Sequence, residues 1–159
     1  MLYKKQTIVI VALVALVAFA QCIKGGIVHG GHPDSPIAKE GKEIFRFDTF
    51  GDEEFWSGLL HIDKAIAGSA NGGFGDGVSP NTALAVGLKV DAEALPPDVV
   101  ARVQSGDLSL DDPATTLALL QLNAVVGVKG NFEEGALKSI GITCAVCHST
   151  VDDSFAEGI

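Results

Sequence analysis

Cys144-Ala145-Val146-Cys147-His148 constrains this chain more than any other stretch. Two thiols three positions apart, with an imidazole directly after the second, come to one side of a short helical turn. That grouping is the attachment pattern for a c-type haem. Each cysteine adds to one vinyl group of the porphyrin and holds it through a thioether. The two vinyl groups are fixed on a rigid macrocycle, which is why the spacing matters. His148 then supplies a neutral imidazole nitrogen as the proximal iron ligand. The expected site is therefore Cys144, Cys147 and His148 around one covalently attached haem c, with His148 as the metal ligand.

Two other chemistries compete for the same five residues. A dithiol redox pair normally follows a strand in a thioredoxin-like βαβ unit. A structural zinc needs two further ligands at matching spacing. The only other cysteine is Cys22, and His29, His32 and His61 show no paired metal spacing.

The N-terminus bears on the compartment. Lys4 and Lys5 precede an unbroken apolar run from Ile8 to Ala20, and Ala18-Phe19-Ala20 supplies the small residues expected before a cleavage site. The run is short for a bilayer span, so residues 1–20 read as a cleaved signal peptide. Export places the mature chain in the periplasm or another extracytoplasmic space, with no stable membrane span. Cys22 offers a lipid anchor as the alternative, although Gln21 is an awkward residue to precede one.

Removing residues 1–20 leaves 139 of the 159 residues, enough for one small domain with a core. The signal carries two of the 11 basic residues and none of the 20 acidic ones, so 9 face 20 in the mature chain, a net of −11. Such a charge disfavours nucleic acid and anionic membrane surfaces, and it suits a basic redox partner through electrostatic steering. Acidity that simply keeps an exported chain in solution explains it equally well.

Residues 21–40 contain Gly25-Gly26, Gly30-Gly31, Pro33 and Pro36 and read as a flexible leader. Order is expected from Gly41, with one domain over residues 41–159. Asp52 is placed as an N-cap, followed by Glu53 and Glu54 in a first turn. Phe55, Leu59, Ile62 and Ile66, widened by Trp56 and Leu60, then mark an amphipathic helix of about 15 residues ending at Gly68. His61 falls on its opposite face. Residues 68–81 form a glycine-rich loop without the G-x-G-x-x-G context of a nucleotide site, and they read as a mobile insertion. Pro96-Pro97 opens a short helix through about Gln104. Asp112-Pro113 opens another, whose Leu117, Leu119, Leu120 and Leu122 predict burial on every side. Val125 to Val128 and Leu137 to Thr143 lean towards β structure, separated by turn residues at Gly130-Asn131 and Gly135. They predict a hairpin leading directly into Cys144.

Several segments resemble a family of exported bacterial cytochrome c domain proteins, loosely similar to the di-haem peroxidase cytochromes. They are Gly41 to Trp56, Thr82 to Val90, Asp112 to Lys129 and, nearest of all, Gly141 to Asp152 around the Cys-x-x-Cys-His motif. The resemblance implies a mainly α, cytochrome c-like fold with a short β-hairpin before the motif. It also implies haem binding at Cys144, Cys147 and His148, and a longer chain in which a C-terminal part follows. The sole methionine is Met1, which leaves with the signal, so this mature chain has no Met/His iron. A five-coordinate iron, a His/His iron, a partner-completed site and an incomplete C-terminus all remain open.

The expected function is electron transfer by a c-type cytochrome. A haem enzyme of peroxidase type is the alternative; it needs a positioned acid–base or arginine group, and Arg46 and Arg102 are the only arginines. A dithiol or truncated protein without haem is the third reading.

Overall fold

The computed structural model describes residues 34–153. The chain divides into two units, residues 1–40 and 41–159. The expected signal peptide, with Cys22, His29 and His32, lies outside the described residues. The first described helix, α1 (Pro36–Phe47), begins ahead of the expected onset at Gly41. Its start is local chemistry: the Ala38 N–H donates to Ser35 Oγ at 3.2 Å, and proline stands at the first helical position. The end of the expected flexible leader is therefore helical.

The single helix expected over residues 52–68 is broken in two. Glu54–Leu59 winds as a π-helix, with the Leu60 N–H donating to the Phe55 carbonyl at 3.1 Å. His61 then turns left-handed, with φ 54° and ψ 33°, before α2 (Ile62–Ala67). Its Nδ1 lies 3.0 Å from the Ser57 carbonyl oxygen. The break changes which apolar residues reach the core. Trp56, Ile62 and Ile66 pack against it, while Phe55, Leu59 and Leu60 stay exposed. Asp52 is no side-chain cap. Its carboxylate accepts the Trp56 Nε1–H at 2.6 Å and the Ile142 N–H at 3.0 Å. A strand edge ninety positions away outcompetes the local turn for it.

The glycine-rich segment is tied down rather than loose. The Phe74 N–H donates to the Lys64 carbonyl at 3.1 Å and the Val78 N–H to the Ile66 carbonyl at 3.0 Å, folding it back on α2. Four elements follow: α3 (Pro80–Ala85), capped by Ser79, strand β1 (Lys89–Val90), a short 3₁₀ turn at Ala92–Ala94, and α4 (Pro97–Ser105). Helix α5 (Pro113–Gln121) starts as expected, with the Asp112 carboxylate accepting the Ala114 N–H at 2.9 Å. Burial on every side is not observed. Thr115, Thr116, Leu119 and Leu120 are buried, but Ala114, Ala118 and Gln121 face solvent.

Strand β2 (Val125–Val126) pairs antiparallel with β1, and β3 (Val128–Glu133) pairs antiparallel with β4 (Ala136–Ile142). A hairpin does lead into the motif, but its first strand is Val128–Glu133, whereas Val125 and Val126 of the expected first strand pair with Val90 and Lys89; its turn is Glu134-Gly135 alone. Both residues have positive φ, 51° and 80°, as a two-residue type I′ connection requires. Gly130 and Asn131, expected in the turn, are strand residues opposite Ile140 and Ser139. Among the described residues the fold is consequently mixed rather than clearly mainly α, about 49% helical with two small antiparallel sheets.

Leu95, Leu119, Leu120, Ala124, Val125, Leu137 and Ile140 form the buried core. Residues 49–57 cover the free edge of β4. Thr49 bridges Thr143, the Phe50 N–H donates to the Ile142 carbonyl at 2.9 Å, and the Ile140 N–H donates to Ser57 Oγ at 2.9 Å. Because that last bond is buried, Ser57→Ala leaves a strand N–H without an acceptor. Its expected cost is about 1–3 kcal/mol in chemical denaturation. A change below about 0.5 kcal/mol would mean that the edge finds another acceptor.

Candidate functional site

Strand β4 delivers the chain straight into the motif. Thr143 is fully buried (0% exposed), and its N–H donates to the Gly127 carbonyl at 3.0 Å. Its own hydroxyl oxygen accepts the Ala145 N–H at 3.3 Å, and its carbonyl accepts the Val146 N–H at 3.2 Å. These bonds start α6 (Ala145–His148), with Cys144 already in the right-handed helical region. The His148 N–H closes the turn on the Cys144 carbonyl at 3.2 Å. Ser149 Oγ donates back to the Ala145 carbonyl at 2.5 Å and ends it.

That one turn separates two roles. Ala145, at 0% exposed, and the half-buried Val146 anchor the turn in the protein. The i, i+3, i+4 spacing sets Cys144, Cys147 and His148 on one side of a helical turn. Cys147 and His148 are exposed and Cys144 is half-buried. Both thiols are free of disulfides. The three form no group able to hold a single metal ion, and no other such group of His, Cys, Asp and Glu exists among the described residues. A zinc ion would need the donors to converge.

Two residues that the sequence reading did not single out hold the turn in place. Gly127 has φ 85°, and a Cβ added there would fall on the backbone of Val146. Lys89, from β1, donates from Nζ to the Val146 carbonyl at 3.4 Å. A positive-φ requirement at Gly127 was not visible in Val125-Val126-Gly127-Val128, which reads simply as β-leaning.

Beneath the hairpin lies an apolar cavity of about 190 Å³, lined among others by Trp56, Ile66, Leu119, Leu120, Ile140 and Ile142. Thr116 borders it with a buried hydroxyl that has no hydrogen-bond partner among the described residues. Thr116→Val removes an unpaired polar group at nearly the same shape. It is expected to be neutral or to raise stability by up to about 1 kcal/mol, read from denaturant midpoints. A loss of stability would show that the hydroxyl is satisfied in solution.

The remaining candidates separate. His61 is exposed and lies on another part of the chain. Arg102 is exposed on α4, whereas Arg46 is largely buried, with its Nη2 2.8 Å from Asp91 Oδ2. Arg46 shares a cleft with Ser149 and Thr150, directly after His148. Sequence spacing offered no sign of that neighbourhood. Among the described residues, no helix is long and apolar enough to cross a membrane. No protein-family model, curated protein or solved structure matches this chain.

Proposed function

We propose that this protein is an exported c-type cytochrome that carries electrons. The reading is carried by one observation: the Cys-x-x-Cys-His residues fall on a single helical turn anchored by the buried Ala145, with Cys144 half-buried and Cys147 and His148 exposed. In this reading the two thiols hold one haem c covalently, and His148 offers its imidazole nitrogen to the iron. When bound, the group supplies one-electron exchange between ferrous and ferric iron. The protein's part is to orient and tune it. Thr143, Gly127 and Lys89 keep the turn rigid, which fixes the imidazole relative to the thioethers.

The acidic balance, 20 carboxylates against 11 basic residues, supports a basic redox partner that docks through electrostatic steering. The sequence pattern of residues 1–20, two lysines before an apolar run and small residues, supports a periplasmic or other extracytoplasmic location.

The test is a pyridine haemochrome spectrum of the exported protein after acid–acetone washing. Retained haem with the reduced α-band of two thioethers is the expected result. Haem lost completely in the wash from protein produced with its maturation machinery would sink the cytochrome reading and leave a dithiol protein.

A further inference from the structure

The apolar cavity bordered by Ile140 and Ile142 of β4 has a volume of about 190 Å³. Protein interiors hold few voids wider than a water molecule, and an unfilled one forfeits dispersion contacts in proportion to its size. This cavity exceeds the roughly 150 Å³ at which an apolar void stays dry and takes up benzene or xenon. It falls short of the roughly 300–1,000 Å³ that larger ligands fill, so a porphyrin does not enter it. It is partly open to solvent, which gives a small molecule a way in.

The chemistry of the wall selects the occupant. Its side chains are Ile, Leu, Val, Ala and Pro, with three exceptions, and each exception has its polar atom engaged or buried. The Trp56 Nε1–H is taken by Asp52 Oδ2 at 2.6 Å, which leaves the ring to the cavity. Lys89 carries its Nζ to the Val146 carbonyl at 3.4 Å, so its hydrocarbon stem is what lines the wall. The Thr116 hydroxyl oxygen is buried and presents no surface to a ligand. A water molecule needs two to four polar partners and finds none here. We propose that this cavity binds one small hydrocarbon molecule of about the size of benzene. The proposal goes beyond electron transfer and does not rest on it. Ile142 stands just ahead of Cys144, so an occupant packs against the strand that enters the motif.

Trp56 is the only tryptophan, so its indole N–H gives a single resonance that reports on the wall. Benzene added to the full chain is expected to shift that resonance saturably and to raise the urea midpoint as its concentration rises. Phenol, of nearly the same size, is expected to bind about tenfold more weakly, because its hydroxyl loses water and gains no partner. Ala83→Leu fills the cavity from a buried position on its wall. It is expected to abolish the shift while holding or raising the urea midpoint without ligand. Should that variant fail to fold, Val78→Phe, from a half-buried part of the wall, is read in its place. No saturable shift with benzene or xenon in the wild-type chain overturns the proposal. A shift that survives in the folded cavity-filling variant also overturns it, because the molecule then sits elsewhere. Phenol binding as tightly as benzene overturns it too, since the wall would then hold a polar partner. The titration is read whether or not the chain carries haem, so its failure and that of the cytochrome reading are distinct.

Discussion

The Gly127→Ala protein is expected to unfold with about 2–5 kcal/mol less free energy than wild type. Two penalties combine. An L-residue held at the glycine's φ of 85° costs roughly 1–2 kcal/mol. A methyl group forced against the Val146 backbone adds overpacking of about 1–3 kcal/mol. Against a total stability on the order of 5–15 kcal/mol, that loss is large. It also acts on the site. The Gly127 carbonyl accepts the Thr143 N–H, so moving residue 127 moves the residue from which the motif turn starts. Urea denaturation reads the first effect, and the fraction of chains carrying covalent haem reads the second. A variant within about 0.5 kcal/mol of wild type would show that the turn does not rest on this close approach.

On the proposed cytochrome reading, the Cys144→Ala/Cys147→Ala protein is expected to carry no covalent haem while keeping its fold. Cys147 is exposed and Cys144 half-buried, so truncating them removes little packing, about 1 kcal/mol or less. The contrast is with the intervening Ala145, which is fully buried and has no room for a larger side chain. Single variants divide the effect. Cys144→Ala or Cys147→Ala leaves one thioether, which moves the pyridine haemochrome α-band to longer wavelength. On the same reading, His148→Ala should leave both thioethers and alter the native spectrum, through loss of the proximal nitrogen. Haem that survives the acid–acetone wash in the double variant would mean that attachment uses other residues.

Before any folding, the residue types of Cys144, Cys147 and His148 bounded the chemistry, and their spacing already implied a common face. Local signals also determined several elements. Asp112-Pro113 starts α5, Pro96-Pro97 starts α4, and the β-leaning run after Gly135 enters Cys144 directly, because caps, fixed proline φ and turn glycines act within a few residues. The start of α1 at Ser35-Pro36 is equally local, although the glycines ahead of it read as a leader.

Only the tertiary structure decided the rest. The periodic stripe from Phe55 to Ile66 promised one helix, yet Asp52 and Ser57 are drawn to strand N–H groups 90 and 83 positions away, and the helix breaks at His61. Hydrophobic period reports neighbours at i+3 and i+4 and carries nothing about partners at such separation. The same limit hid the support of the motif. Gly127 beneath Val146, Lys89 against its carbonyl, and the half-paired Arg46 in the cleft with Ser149 come from segments far apart in sequence that only the folded chain brings together. Composition and spacing named the reactive groups; packing determined which of them face outward and what stands behind them.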